Sequence, residues 1–340
     1  MNDYQIYNGR VISQHKNLYR VVCDENDIVA EISGKLKHST ANLSDFPTVG
    51  DFVSLDRNNN KNGNAVIVSV LPRKTAFIRK AAGKRPDDQI VAANIDIAFI
   101  CMSLNNDFNL RRLERYLAVA WESGAMPIVL LTKSDLCFDT EEMKKKVDEV
   151  SSVAMGVDIV TTSSIFDKGM EQVLDFIKEG KTAVFIGSSG VGKSTIINRI
   201  LGSQILKTSA TDSDDKGRHT TTTRSLFFLS NGGYVIDTPG MRELGIENAD
   251  FSKSFVDIDE LAEQCKFNDC NHTSEPGCAV KKAIKDNLLT QARLDNYRKL
   301  KREASYSGLT SRKIQNNKLN EMFKDVGGMK KAKKLTKNKL

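Results

Sequence analysis

The chain of 340 residues contains no long hydrophobic run. Its longest apolar segment, residues 97–102, is far shorter than the ~20 residues that a membrane-spanning helix requires. Residues 1–10 are polar and lack the apolar centre of a secretory signal peptide. These two absences argue against a membrane or secreted protein and predict a cytoplasmic one.

Cysteine is also scarce, with six residues in the whole chain. In a reducing compartment, so few thiols argue against a disulfide framework. Cys23, Cys101 and Cys137 lie singly in or beside apolar segments, which predicts inert core residues. The other three cysteines form a cluster after residue 264.

The composition is typical of a soluble globular protein, with 40% hydrophobic and 27% charged residues. The length allows two or three domains. The net charge of +7 is uneven, because residues 299–340 contain thirteen Lys or Arg against three Asp or Glu. This asymmetry indicates a polyanionic partner such as nucleic acid. The alternative is a solvated tail that only aids solubility.

Short β-branched segments separated by turns dominate residues 1–72. Five such strands predict a small barrel, and the OB-fold is the barrel of this size that fits. OB-folds often bind oligonucleotides, and the alternative is a barrel with a purely structural role. The predicted strands cover residues 9–12, 19–22, 28–32, 51–55 and 65–70.

Strands and helices alternate after a basic segment, residues 73–89, that we predict to be a linker. Such alternation predicts a mostly parallel sheet with helices on both faces. The predicted strands cover 90–102, 127–131, 158–161, 182–186 and 234–236, and the helices cover 110–123, 141–153, 170–177 and 194–201. Beyond residue 250 the pattern changes to helices.

A phosphate-binding loop follows the apolar strand predicted at residues 182–186. Residues 187–194 fit the spacing G-x-x-x-x-G-K-[ST]. Glycines let backbone N–H groups turn toward phosphate oxygens, the lysine reaches the β- and γ-phosphates, and the serine ligates Mg²⁺. A strand before and a helix after the loop argue against a chance glycine-rich turn. The predicted nucleotide contacts are Gly187, Ser188, Ser189, Gly190, Val191, Gly192, Lys193, Ser194 and Thr195.

A base-reading motif lies upstream of this loop. Thr132, Lys133, Ser134 and Asp135 resemble the sequence N-K-x-D. The Asp135 carboxylate is suited to accept hydrogen bonds from the N1–H and 2-amino groups of guanine, and adenine offers no such pair. Thr132 keeps a hydroxyl but lacks the amide of asparagine, which predicts a weaker tether to the phosphate loop. Ser163, one strand later, lies where a backbone contact to the guanine oxygen belongs.

Asp237 and Gly240 belong to a D-x-x-G motif after the phosphate loop. In such motifs the aspartate holds a Mg²⁺-bound water, and the glycine N–H contacts the γ-phosphate. An ordinary small GTPase has the order phosphate loop, D-x-x-G, N-K-x-D. Here the base reader comes first, so the motifs indicate a circularly permuted GTPase.

Residues 208–224 form a polar stretch that we predict to be a nucleotide-responsive switch. One of Thr220 to Thr223 would complete the Mg²⁺ shell. Met241 stands where Ras-like enzymes carry the water-positioning glutamine, which predicts slow intrinsic hydrolysis. His219, a titratable group in the switch, is the predicted catalytic substitute. The alternative is that His219 contacts only RNA or solvent.

Cys265, Cys270, His272 and Cys278 place four soft or borderline ligands within fourteen residues. This set suits a tetrahedral Zn²⁺ ion, and four protein ligands favour a structural over a catalytic site. The alternative is a group of unrelated buried cysteines, which the polar surroundings disfavour.

Together these motifs resemble the ribosome small-subunit-dependent GTPase A (RsgA) family. The matching stretches are residues 89–96, 132–135, 187–195, 217–222, 237–244 and 265–280. The resemblance implies a multidomain fold: an N-terminal all-β OB-fold barrel over 1–72, a circularly permuted α/β P-loop GTPase domain over 73–245, and a mainly α zinc-binding domain with the basic tail over 246–340.

The same resemblance implies a function. It implies a monomer that binds the small (30S) ribosomal subunit and its 16S rRNA, with one structural Zn²⁺ ion and with Mg²⁺ accompanying GTP. Hydrolysis stimulated by the subunit would be coupled to late maturation and to release of the factor. One alternative is an RNA-binding zinc and OB module that uses GTP only as a sensor. A second, a P-loop kinase or ATPase, is disfavoured by Asp135.

Overall fold

The computed structural model describes residues 5–39, 42–80, 88–137, 139–206, 224–237 and 255–305. Several predictions concern residues outside these ranges: His219, the threonines 220–223, Gly240, Met241 and the tail after residue 305. What the sequence indicates for them therefore stays a prediction.

The N-terminal part of the chain is a closed five-stranded barrel. Its strands are β1 Tyr7–His15, β2 Leu18–Cys23, β3 Asn26–Ile32, β4 Phe52–Leu55 and β5 Ala65–Val70. β1 pairs antiparallel with both β2 and β4, while β3 pairs parallel with β5, which closes the barrel. Val11, Val21 and Ile67 are fully buried in its interior. The predicted barrel is confirmed, with a short helix, α1 Gly34–Ser39, after β3.

A two-stranded hairpin follows the barrel, where the sequence predicted a linker. β6 Ala76–Lys80 pairs antiparallel with β7 Asp88–Ala93. The linker prediction is therefore wrong over these residues. Basic residues dominate the composition of the segment, but Phe77 is fully buried in the main core and anchors the hairpin. The strand region predicted at residues 90–102 is accordingly two strands, separated by a turn in which Asn94 has φ +54°.

The central unit is a six-stranded, mostly parallel sheet. Its strands are β8 Ile97–Ser103, β9 Met126–Thr132, β10 Asp158–Thr161, β11 Thr182–Gly187, β12 Ser225–Phe228 and β13 Tyr234–Asp237, in the order β10-β9-β8-β11-β13-β12. Only β12 is antiparallel to its neighbour within this unit. Alternate residues of β8, such as Phe99 and Ile100, enter two different hydrophobic cores. Both faces of β8 are therefore covered, which explains its uninterrupted apolar sequence.

The helices of this unit lie where the sequence predicts them, within one residue at each end. They are α2 Leu110–Ser123, α3 Thr140–Val153, α4 Met170–Phe176 and α5 Lys193–Leu201. Asn109 caps the N-terminus of α2, and its side chain accepts a hydrogen bond of 3.0 Å from the Arg112 backbone N–H. Gly124, with φ +82°, caps the C-terminus. Two 3₁₀ turns, Leu43–Asp45 and Ser134–Leu136, complete the described elements before residue 206.

Barrel and sheet share a polar and aromatic interface. β1 pairs with β12 through Ser13 and Ser225. The Arg10 guanidinium lies over the Phe52 ring at 5.0 Å and over the Tyr234 ring at 4.6 Å. It also donates a hydrogen bond of 2.6 Å to the Thr182 hydroxyl. The barrel is thereby fixed to the edge strand that follows the predicted switch.

Three helices form the described C-terminal part: α6 Val256–Glu263, α7 Ala279–Lys285 and α8 Gln291–Ser305. Phe255 is fully buried and contacts the Tyr297 ring edge-on at 5.3 Å. α8 packs against α2 of the central unit. The predicted mainly α character is confirmed for residues 255–305. None of the helices in the described ranges is long and apolar enough to cross a membrane.

Candidate nucleotide site and metal centre

The phosphate loop connects β11 to α5 at the carboxyl edge of the parallel sheet, where α/β proteins bind ligands. Gly187, Gly190 and Gly192 have φ values of +148°, +71° and +103°. A side chain at Gly187 would place its Cβ 2.5 Å from the Cys101 carbonyl oxygen, so only glycine fits there. The loop leads into the N-terminus of α5, and the backbone N–H groups in the first turn of a helix favour an anion.

The base-reading motif is tied to this loop by one buried hydrogen bond. Thr132 ends β9, and its hydroxyl donates to the Val191 carbonyl oxygen at 2.6 Å. Both residues are almost fully buried, at 2% and 1% exposure. Although the two motifs lie 59 residues apart in sequence, the parallel order of β9, β8 and β11 brings them to one edge of the sheet.

Asp135 is held in place from the neighbouring strand. Its Oδ1 accepts a hydrogen bond of 2.6 Å from the Ser163 hydroxyl. The Ser134 N–H donates to the Thr162 carbonyl oxygen at 3.0 Å. Lys133, between Thr132 and Ser134, adopts a left-handed conformation with φ +56°. The residues predicted to read guanine therefore form one connected turn across the ends of β9 and β10.

Lys193 contacts the phosphate loop from within, and Asp237 lies near enough to interact with its charge. The Lys193 ammonium donates to the carbonyl oxygens of Gly187 and Ser188, at 2.9 Å and 2.6 Å. Burial raises the pKa of Asp237, and the positive charge of Lys193 offsets part of that rise. Full burial raises the pKa of Cys101 to about 12, so this thiol is inert at neutral pH.

An ion pair that the sequence reasoning missed supports the loop from the other side. The Ser188 hydroxyl donates to Asp107 at 2.6 Å, and Arg112 donates twice to the same carboxylate, each bond at 2.8 Å. Burial acts to raise the pKa of Asp107, but the hydrogen bonds from Arg112 and Ser188 outweigh it and the net pKa is lowered. The sequence signal was an Asp just before the Asn109 cap of α2 and an Arg within its first turn.

The four predicted metal ligands meet in space, and their ligand atoms all lie within 4.8 Å of one another. His272 Nδ1 lies 3.6 Å from Cys265 Sγ and 3.5 Å from Cys278 Sγ, and those two sulfurs lie 3.9 Å apart. Tetrahedral zinc with Zn–S bonds near ~2.3 Å separates its sulfur ligands by about 3.8 Å. The Cys₃His set, completed by Cys270, therefore fits a four-coordinate ion.

Polar contacts outside the ligands hold the metal loop in shape. The Glu275 carboxylate accepts hydrogen bonds from the N–H groups of Asn271, Thr273 and Ser274, at 3.0, 2.7 and 2.9 Å. His272 has φ +60°, which presents its ring to the cysteines. Arg298 of α8 donates to the His272 carbonyl oxygen. The loop is thereby attached to α8 as well as to the ligand atoms.

Comparison with known proteins gives the family. The RsgA GTPase family model matches residues 70–247. The small ribosomal subunit biogenesis GTPase RsgA 2 of Lactiplantibacillus plantarum is 48% identical over 96% of this chain and 91% of its own length. The chain belongs to the RsgA GTPase family. The resemblance of its motifs to that family is therefore confirmed, and the chain is a GTP hydrolase.

Other RsgA proteins support the assignment. RsgA 2 of Listeria monocytogenes is 44% identical over 88% of this chain and 84% of its own length. YjeQ from Thermotoga maritima superposes with a TM-score of 0.66 at 29% identity, covering 88% of this chain and 99% of that one. YloQ, described as a circularly permuted GTPase, gives 0.60 at 25% identity, with coverages of 90% and 97%. The permuted RsgA fold thus accounts for the motif order.

Proposed function

We propose that this RsgA-family GTPase acts in biogenesis of the small (30S) ribosomal subunit. Its curated relatives carry that function in their names, at 48% and 44% identity over most of both chains. In this proposal the protein binds the subunit in its GTP state. Contact with the subunit then stimulates hydrolysis, and hydrolysis to GDP releases the factor.

The hydrogen bond from Thr132 to Val191 is the observation that carries the nucleotide part of this proposal. It joins the guanine-reading turn to the phosphate loop, so base and phosphates would be held by one connected surface. Asp135 accepts from the base, the backbone at Ser163 contacts its oxygen, and Lys193 neutralises the phosphates. Lys193 would leave its present carbonyl partners, Gly187 and Ser188, to do so.

The two metal ions have separate roles in the proposal. Mg²⁺ arrives with GTP, with the Ser194 hydroxyl as a ligand and Asp237 holding one of its waters. The half-buried Asp237 carboxylate has a raised pKa, and a divalent cation beside it would restore its charged form. The Cys₃His cluster would hold one structural Zn²⁺ ion, because all four tetrahedral positions come from protein ligands.

We place His219 in the switch as the group that positions the attacking water. Met241 has no hydrogen-bonding hydrogen to offer a water, so another side chain must serve. The 16S rRNA would be bound by the barrel and by residues 299–340, and positive charge is concentrated in the latter. We further propose that the protein is a cytoplasmic monomer, since the subunit supplies the missing part of its active site.

The test compares GTP turnover of the purified protein with small subunits, with large subunits and with neither. We expect strong stimulation by small subunits alone, and loss of that stimulation in His219→Ala. GTP turnover that is equal with and without the small subunit would favour the alternative in which GTP serves only as a sensor. Asp135→Asn provides a control for base reading, because its amide would donate to xanthine where the wild-type carboxylate accepts from guanine. A preference for GTP unchanged by that variant would contradict the assigned base contact.

A further inference from the structure

Thr132 and Thr162 are direct neighbours across the ends of two parallel strands. The Thr162 N–H donates to the Leu131 carbonyl oxygen at 2.8 Å, and its own carbonyl accepts from the Ser134 N–H at 3.0 Å. These two bonds lie on either side of Thr132 and Lys133, and Thr132 continues the register in which Thr161 faces Leu131, so it lies opposite Thr162. Side chains opposite each other in a parallel pair lie on the same face of the sheet.

The two hydroxyls differ in their partners. Thr132 Oγ1 donates to Val191 at 2.6 Å. Thr162 Oγ1 is buried and has no hydrogen-bond partner among the described residues, in a residue with 1% exposure. A buried hydroxyl without a partner costs free energy, so its presence here needs an explanation.

An asparagine at position 132 would supply that partner. Its amide N–H₂ group can donate to the Val191 carbonyl while its Oδ1 accepts from the Thr162 hydroxyl, because the amide extends one atom beyond a threonine hydroxyl. Threonine has a single polar atom, which is committed to Val191. The guanine-reading turn is therefore anchored to the phosphate loop through one side-chain bond instead of through a connected pair.

We propose that Thr132 is a positioning residue that sets the rate of nucleotide release, and that the Thr162 hydroxyl is an unused second anchor. This inference rests on the proposed guanine-nucleotide site. A turn with one anchor opens more readily than a turn with two, so GDP would leave the wild-type protein quickly. We expect the rate of the chemical step to be unchanged, because the Thr132 hydroxyl is committed to the Val191 carbonyl and the Thr162 hydroxyl is buried.

The experiment measures dissociation of a fluorescent GDP analogue from the full chain in a double-mutant cycle. Thr132→Asn should slow release about five-fold, the value of one added net hydrogen bond. Thr162→Val replaces only the hydroxyl by a methyl group. In that background, Thr132→Asn should no longer slow GDP release. Thr132→Val, which loses the bond to Val191, should release GDP about five-fold faster than the wild type.

The outcomes separate the inference from the function on which it rests. Equal release rates in wild type and Thr132→Asn, or a gain that persists in the double variant, would overturn the inference alone. Absence of binding by every variant and by the wild type would overturn the proposed nucleotide site together with it. If asparagine acted only on stability, Thr132→Asn would raise the unfolding temperature of the nucleotide-free protein and leave the rate of GDP release unchanged. That result would also contradict the inference.

Discussion

Arg293 of α8 donates a hydrogen bond of 2.6 Å to the carboxylate of Glu114 in α2, and both side chains are more than nine-tenths buried. Arg293 also donates to Asp257 of α6 at 2.6 Å and 2.8 Å, and Asn296 donates to Glu114. The charge network attaches the C-terminal helices to the central unit. We expect Arg293→Met to lower the free energy of unfolding by about 3 kcal/mol in urea, because it leaves the buried Glu114 carboxylate without a counter-charge.

Two controls accompany this prediction. Arg293→Met/Glu114→Met should recover part of the loss, since the buried Glu114 carboxylate is removed together with its partner; the more exposed Asp257 still loses Arg293, so recovery stays partial. Lys144→Met breaks an ion pair with Glu141 whose side chains are 67% and 80% exposed, and should change stability by less than ~0.5 kcal/mol. An equal loss of unfolding free energy in Lys144→Met and Arg293→Met would contradict the argument that burial of the ion pair determines the cost.

Gly50 allows a close approach between the barrel and the end of β7. Its φ is +93°, and an added Cβ would lie 2.1 Å from the Ala93 carbonyl oxygen. Gly63 has a similar φ, +102°, but an added Cβ would meet nothing within 4 Å. Gly63→Ala should therefore cost only the conformational strain, ~1–2 kcal/mol. Gly50→Ala should cost clearly more in thermal or urea unfolding, and equal losses would show that the close approach is unimportant.

Metal removal should affect the C-terminal part of the chain first. Cys270→Ser is expected to reduce bound zinc from one ion per chain to a small fraction, because the site loses a thiolate ligand. Elemental analysis measures this directly. Cys137→Ser is the matched control, since Cys137 is buried away from the Cys₃His cluster and should retain the full zinc content. Equal zinc contents in the two variants would refute the assignment.

The contact between Asp107 and Ser188 should contribute to nucleotide affinity. Asp107→Ala and Ser188→Ala each remove the hydrogen bond of 2.6 Å that supports the phosphate loop. We expect each to weaken GTP binding several-fold in calorimetry, and the double variant to be no weaker than the worse single variant. Fully additive effects would mean that the two residues act independently.

The lowered pKa of Asp107 also predicts a pH dependence. A carboxyl whose folded-state pKa is depressed stabilises the fold above its unfolded value, about 3.9, and loses that contribution as pH falls through the folded-state pKa. The difference in unfolding free energy between wild type and Asp107→Asn should thus be constant from about pH 5 to 7 and shrink below pH ~4. A difference that grows on acidification would show the opposite sign.

Local chemistry made some elements predictable. α2 was predicted over its full extent from apolar residues at helical spacing. In the structure an Asn109 cap and Gly124 bound the same residues, so the signals that define this helix are local. The phosphate loop was predictable for the same reason, since its glycines, lysine and flanking strand lie within a few consecutive residues. The Cys₃His cluster also lies within one short segment.

Other features could not be predicted from neighbouring residues. β6 and β12 escaped prediction although each pairs with the next strand along the chain, β7 and β13. Both are short, β6 lies in a basic segment and β12 directly follows a polar one, so composition hid their strand character. The ion pair between Glu114 and Arg293 joins residues 179 positions apart. No periodicity or spacing relates two such residues before the chain folds.

The sequence by itself therefore determined the parts of the protein: its phosphate loop, its base-reading motif, its metal ligands, and the permuted order in which they occur. Those depend on residues that are close in the chain and on backbone conformations that only certain residue types adopt. Only the tertiary structure decided how the parts are coupled. Parallel strand order brought Thr132 to Val191 and left the Thr162 hydroxyl without a partner in the part of the chain that the structure describes, because sheet packing places distant segments side by side irrespective of their separation in sequence.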